Sequence, residues 1–540
     1  MKILKTALFV SVGLLVACAE KSSERDEMTD RFLSPWHSLT TDEVAQVTTA
    51  VTESVDAQVV FNRISLLEPH KQDALSWDEQ SVAARGADVL YRSAKSSYRV
   101  QYDFQTGALS DPQRILSGQP MLVQAELINA LDAVNALPEV RAALERRGVS
   151  ARNGLCMPRT VGRFFSSLAD PVTDRLVRFD CFNIRGQSGL GLLPTTSAWA
   201  RPVEGVSVLF DVEELRLIEL IDSFADTEAP PSDFDVIEFH ASALETRAPL
   251  SEVTIAQEQG PNFSVTGSQI DWQNWRFHLR FDPRQGTVLN NVGIVTGDGV
   301  RPVAYEIAMS EMFVPYQDPD THWFYRAYFD MGEYGFGNMA TALKGNDCPP
   351  NAVFQNVVLH TAAGEPFVAE NRVCIFEFDP GYPSWRHHES LYDEVPGMEK
   401  HNSRRATNLV VRMVAVIGNY DYFQDYVFQQ DGRMRIRLIS TGIDATKGVF
   451  AATLADPSAQ AETATGTLIA PYRLGVNHDH FFSYRIDFDI DGVNNNFVRQ
   501  RLQSVTQPSD ATRQGVWGVT REAVKSEQQA QTVMQVDKPA

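Results

Sequence analysis

From about Leu250 onward, short apolar segments alternate with clusters of Gly, Pro, Asn and Asp, and helical periodicity is scarce. FHLRFDPRQGTVLNNVGIV and RPVAYEIAMSEMFVPYQDP are two such runs. Strands of this length, separated by turn residues, must find cross-strand partners, which commits residues 251–540 to a large antiparallel β-sandwich.

Upstream the pattern changes. Residues 36–114 read as one helix followed by strands: LTTDEVAQVTTAVTES places Thr ahead of acidic residues, the pattern of a helix N-terminus, and VVFNRISLLEP and ADVLYRSAKSSYRVQYDF follow as strands. Residues 115–225 repeat the order, with a helical stretch stopped at Gly148 and then RLVRFDCFNI and PVEGVSVLFDVEELRLIELI. The acidic, Pro-containing SFADTEAPPSDFD leads into a linker at 226–250. Two small α+β domains therefore precede the sandwich, and neither carries a catalytic constellation.

Residues 1–17 combine Lys2 and Lys5 with an apolar run too short to span a bilayer, which reads as a cleaved export signal. The LVAC ending resembles a bacterial lipoprotein signal, with Cys18 as the lipidated first residue and 18–35 as a solvated tether. Ala19 in place of Asp favours the outer membrane, so the expectation is a lipid-anchored protein of the cell envelope facing the periplasm. Four cysteines remain, Cys156, Cys181, Cys348 and Cys374, as an exported chain allows. Nearest-neighbour pairing joins Cys156 to Cys181 and Cys348 to Cys374, but four cysteines permit three pairings. The formal charge of -21 becomes -23 once the two lysines of the signal are removed, which excludes a nucleic-acid surface and draws cations.

Three stretches of the sandwich carry chemistry. VVRMVAVIGNYDYFQDYVFQQDG reads as a buried strand or hairpin centred on Asn419, Tyr420, Asp421 and Tyr422. In FYRAYFDMGEYGFG, Asp330 leaves a strand among aromatic residues, where desolvation favours the neutral carboxyl and raises its pKa toward the range of a general base. In GVNHDHFFSYRIDFDIDG, His478 and His480 stand at i and i+2, one face of a strand, and can reach one metal.

Together these stretches resemble the copper-containing primary amine oxidases. The resemblance implies that Tyr420, in Asn419–Tyr420–Asp421–Tyr422, is the precursor of a topaquinone made with copper and oxygen; Val416 stands where the family usually has Thr. It makes Asp330 the catalytic base, Tyr316 the residue that orients the cofactor, and Tyr328 the substrate gate. His478 and His480 become copper ligands. Asp487, Phe488 and Asp489 resemble part of the family's second site, for calcium or another divalent cation. The spacing of Cys348 and Cys374 is similar to that of a disulfide in the family's catalytic domain. A third His ligand is implied downstream, yet the other nine His lie between His37 and His401, and the sequence resembles a catalytic domain stopped partway. The implied reaction is oxidation of a primary amine by oxygen to an aldehyde, ammonia and hydrogen peroxide, in a homodimer. The alternative is a non-enzymatic relative that binds amine or metal at the cell envelope.

Overall fold

The computed structural model describes residues 33–531, apart from 79–80, 163–165, 171, 186–197, 235–247, 249, 252, 254, 389–395 and 397–400. The export signal, Cys18, most of the tether and much of the expected linker lie outside the described residues.

The first unit is one helix on a five-stranded antiparallel sheet. Its helix, Thr41–Glu53, starts where the sequence signals it: Thr40 Oγ1 accepts from Glu43 N at 3.2 Å, and Glu43 Oε2 accepts from Thr40 N at 2.9 Å. Val44, Val47 and Val51 fall on one helix face and pack on Phe61, Val89 and Tyr102.

The second unit sets two helices, Gln124–Ala136 and Pro138–Arg146, on a four-stranded antiparallel sheet. The sequence suggested one helical stretch here. Pro138 divides it, because Pro lacks an N–H and disfavours a helical residue before it, and Leu137 is extended at φ -62°, ψ 127°. Strands Gly154–Arg159 and Leu176–Asn183 pair with Cys156 opposite Cys181, and these two cysteines form a disulfide.

The third unit packs a seven-stranded sheet on a five-stranded one. Trp275, Phe277, Leu289 and Met309 from the first sheet meet Ile375, Val411, Met413 and Phe428 from the second in one core. Phe277 stacks on Phe428 with ring centroids 4.3 Å apart. Each such buried side chain contributes about 1.5–3 kcal/mol of transfer free energy, so this core is the main stabilising element of the frame that holds the site. Cys348 is joined to Cys374, which completes the nearest-neighbour pairing. Strands Phe497–Thr506 and Gly515–Val524 form a separate hairpin that, among the described residues, pairs with no other strand. Leu502 and Trp517 on it are 67% and 75% exposed.

Candidate active site

The long strand Gly299–Pro315 is the hub of the site. It pairs with Gly286–Thr296 and Ala327–Phe329 on one side and with Phe481–Phe488 on the other. Its C-terminal continuation delivers Tyr316, which forms an isolated antiparallel bridge with His478. The His pair is thus held just ahead of strand Phe481–Phe488, in a bridged segment rather than inside a regular strand as the sequence suggested. The two imidazoles still face one another, with ring centroids 5.1 Å apart.

Tyr420 comes from the second sheet. Strands Asn408–Ile417 and Tyr420–Gln429 pair from Ile417 opposite Tyr420, leaving Gly418 and Asn419 as a two-residue turn. Gly418 has φ 61° at the first turn position, which only Gly adopts without strain, and this fixes the register that aims Tyr420. The Tyr420 hydroxyl lies 2.8 Å from His478 Nε2 and 2.9 Å from Asp444 Oδ1. Tyr422 reaches His480 Nδ1 at 2.9 Å. Tyr316 is buried and stacks on His478 with ring centroids 4.2 Å apart. Burial, Tyr316 and Asp444 together push the Tyr420 phenol well above its ordinary range.

Asp330 begins the short helix Asp330–Glu333, directly after strand Ala327–Phe329. Glu311 Oε1 accepts from the N–H groups of Met331 and Gly332 at 3.0 and 3.3 Å, which fixes that helical turn. Asp330 is 5% exposed, and burial, then Glu333 and Glu311, raise its pKa far above the usual carboxylate range. Glu333 is itself pushed up to about 7 by burial, against the pull of three donors. Those donors are Thr160 Oγ1 at 2.6 Å, Phe329 N at 2.9 Å and Gly162 N at 3.0 Å. Two of them come from the second small domain, so a loop outside the sandwich holds the turn that carries Asp330. Gly162 requires Gly there: its φ is 56°, and a Cβ would sit 2.5 Å from the Ala327 carbonyl oxygen.

Asp330, Tyr316, Tyr328, Tyr420 and Tyr422 line one enclosed cavity of about 30 Å³, together with Arg159 and Arg326. The three stretches singled out by sequence therefore converge, two of them on this cavity and the His pair through its contacts with Tyr420 and Tyr422, although they come from segments far apart in the chain.

His478 and His480 suit copper. His478 Nδ1 donates to the Val476 carbonyl at 2.8 Å, which leaves Nε2 as a lone pair facing the Tyr420 oxygen. Burial and the neighbouring His478 push His480 down to about 4, so it stays a neutral ligand. The Tyr420 hydroxyl has one proton and two acceptors, His478 and Asp444, a surplus of electron pairs that a cation would satisfy. Among the described residues no group of three or more His, Cys, Asp and Glu converges on one point.

The second metal site expected at Asp487, Phe488 and Asp489 is filled from within. Lys71 Nζ stands 2.9 Å from Asp487 Oδ2 and 2.7 Å from Asp489 Oδ1, and the Phe488 carbonyl accepts from Asn495 Nδ2. One ammonium already bridges both carboxylates and offsets one of their two charges, so a divalent cation there would have to displace it. Lys71 comes from the first small domain, 416 residues before Asp487.

Sequence reasoning missed Asp444, Glu333, Arg159, Arg326 and Lys71. Asp444 sits in TGIDATKG, where an acid between Gly and Thr reads as a turn residue.

The chain matches the family described as copper amine oxidase, enzyme domain, over residues 264–540. The N2 domain of copper amine oxidase matches residues 34–115 and the N3 domain residues 125–234. The peroxisomal copper-containing amine oxidase alpha 2 of Arabidopsis thaliana is 31% identical over 513 residues, covering 92% of this chain and 73% of that relative. The primary amine oxidase of Klebsiella aerogenes is also 31% identical, over 511 residues, covering 92% of this chain and 64% of that relative. The crystal structure of a copper-containing benzylamine oxidase from Hansenula polymorpha superposes with a TM-score of 0.80 at 22% identity, covering 91% of this chain and 76% of that one. Three consecutive domain matches on a frame that brings Tyr420, Asp330 and the His pair together have one reading: the chain belongs to the copper amine oxidase family, whose members are amine-oxidising enzymes.

Proposed function

We propose that this chain oxidises primary amines with oxygen to aldehyde, ammonia and hydrogen peroxide, using a quinone formed from Tyr420. The observation that carries the reading is the Tyr420 hydroxyl 2.8 Å from His478 Nε2, in the cavity that Asp330 also lines. His478 and His480 would hold copper, which supplies the reaction with oxygen that converts a phenol to a quinone.

The rest falls to the chain's own residues. Asp330 accepts the proton from the carbon next to the amine nitrogen, and its dry surround makes the protonated carboxyl the more stable product of that transfer. Tyr316 packs against His478 and reaches the Tyr420 hydroxyl, which limits rotation of the ring. Tyr328 closes the cavity wall between Arg326 and Asp330. Tyr316, Tyr328, Tyr420 and Tyr422 give the cavity a largely aromatic lining, while Arg159, Arg326 and Asp330 keep it accessible to the water that release of aldehyde and ammonia consumes.

Three further parts belong to the same proposal. Cys18 carries lipid and anchors the protein at the cell envelope, as the LVAC ending suggests. The exported setting agrees with two disulfides. The protein is a homodimer, with hairpin 497–524 as the docking arm: its exposed Val498, Leu502, Trp517 and Val519 share one face and make an apolar ribbon with no partner in its own chain among the described residues.

The test is mass spectrometry of the Tyr420 peptide after expression without copper and addition of copper in air, with phenylhydrazine as the trap. A hydrazine-labelled quinone supports the reading. An unmodified Tyr420 sinks it and leaves an amine- or metal-binding relative.

A further inference from the structure

We propose that Arg159 and Arg326 form a carboxylate-binding subsite beside Asp330, so that the preferred substrate is a short primary amine carrying its own carboxylate. This rests on the amine-oxidising reading above.

The two guanidinium groups come from different domains and line the same small cavity as Asp330 and Tyr420. Both are buried: the side chains of Arg159 and Arg326 are 12% and 9% exposed. Among the described residues, one carboxylate lies within ion-pair distance of both. Asp180 Oδ2 is 3.0 Å from Arg326 Nη2 and 3.9 Å from Arg159 Nε. That carboxylate is shared again, since the Tyr325 hydroxyl donates to its other oxygen. Glu204, the next acid toward Arg326, is occupied by His322 at 2.9 Å, Trp323 Nε1 at 3.1 Å and Gly448 N at 2.6 Å.

Two cations therefore share one anion, whose Oδ2 stands within ion-pair distance of both but is hydrogen-bonded to neither, and donors are left over. Arg326 Nε and Arg159 Nη2 are buried without a hydrogen-bond partner among the described residues. Each ring stack, Trp323 3.5 Å under Arg326 and Trp199 4.0 Å under Arg159, holds a guanidinium plane in place without using its N–H groups. Buried charge and donors without partners are costly, and their persistence beside a reaction centre points to a ligand that supplies the missing acceptor.

The chemistry of that ligand follows from the geometry of the donors and the sign of the charge. A guanidinium fork matches the two oxygens of a carboxylate. A plain alkylammonium would bring a third positive charge to the cavity, whereas an amino-carboxylate enters with no net charge and places its carboxylate on the arginines. The cavity of about 30 Å³ has room for about one water, so even a short spacer between the two groups requires the lining side chains to move apart.

The experiment compares 3-aminopropanoate with 3-methylbutylamine, its apolar isostere of six non-hydrogen atoms, on the full copper-loaded protein and on Arg159→Met and Arg159→Lys. The expected result is a kcat/KM ratio favouring 3-aminopropanoate by about tenfold or more in the unmodified protein, falling toward one in both variants because Lys lacks the fork. Calorimetry with 3-aminopropanoate on the protein before copper addition gives a second readout. Binding that Arg159→Met abolishes upholds the subsite even if no amine is turned over, which separates its fate from that of the oxidase reading. A ratio near one in the unmodified protein, or a variant that slows both amines equally, overturns the proposal and leaves the arginines an interdomain role. Acetate binding as tightly as 3-aminopropanoate overturns the substrate assignment in favour of a free-anion site.

Discussion

The Tyr420 hydroxyl and His478 Nε2 stand 2.8 Å apart, although 58 residues separate them in the chain. Replacing His478 with Ala removes one imidazole from the pair and leaves the core residues untouched. The expected outcome is loss of copper retention and of any carbonyl-reactive product at Tyr420, with the thermal midpoint nearly unchanged. Copper content by atomic absorption and a hydrazine assay check this. Full quinone formation in His478→Ala would show that the imidazole plays no part.

Asp330→Asn should separate cofactor formation from turnover. Tyr420 conversion continues, while amine oxidation falls by roughly 10²–10⁴-fold, the range typical of a lost general base. Stopped-flow reduction of the quinone by amine, followed anaerobically, isolates the affected step. An unaltered rate would reassign the base.

Glu333 gives a pH signature of definite sign. Its folded pKa of about 7 lies above the ordinary 4.5, so the fold binds this proton more tightly than the unfolded chain does. Its stabilising contribution is complete below about 4.5 and is lost as pH rises to about 7, by on the order of 2–4 kcal/mol. Glu333→Gln should flatten that part of the stability–pH curve in denaturant titrations. The same change removes a negative neighbour of Asp330, lowers the Asp330 pKa and moves the acidic limb of kcat to lower pH.

Lys71 makes the Asp487–Asp489 pair independent of metal. Chelators and added calcium should leave the melting temperature of the copper-free protein unchanged. Lys71→Met should lower stability by about 1–3 kcal/mol, because Asp489, 4% exposed, is left without its cation. Calcium-dependent melting in that variant alone would confirm that the ammonium occupies a site a cation could otherwise use.

Much of this was legible from residue order, and the reasons are local. Turn residues between apolar runs marked the sandwich, Gly148 marked the end of the second helical stretch while the break at Pro138 went unread, and Thr40 with Glu43 announced the first helix. Tyr420, Asp330 and the His pair were visible because each sits in a short, distinctive run. What stayed hidden depends on contacts between remote segments. Lys71 with Asp489, 418 residues apart, and Thr160 with Glu333, 173 apart, leave no periodic trace. Asp444 is nearer, 24 residues from Tyr420, yet only the hairpin register turns its side chain toward the phenol. The lysine at the expected divalent site was hidden for the same reason: the acids were readable, and the ammonium that bridges them belongs to another domain.

Gly162→Ala tests whether the small domain acts on the chemistry. The added methyl meets the Ala327 carbonyl at 2.5 Å in a backbone conformation that disfavours Ala, at an expected cost of about 2 kcal/mol or more. Gly162 donates to Glu333, so amine oxidation should fall beyond the stability loss, read as activity per folded protein. Normal specific activity would limit that loop to a packing role.

The pairing of strand Gly299–Pro315 with strand Phe481–Phe488 imposes an order of events on a newborn chain. Phe313 must wait for Phe481, 168 residues later, before that edge of the sheet can close. At about 5–20 residues per second, translation holds the edge open for roughly 10–30 s. His478 emerges just ahead of the closing strand, so a tyrosine made earlier meets its imidazole only when the barrel of contacts around it is nearly finished. Under the function proposed above, conversion of Tyr420 is thereby timed as a maturation step that follows completed folding, and a chain that misfolds upstream would never acquire a reactive carbonyl.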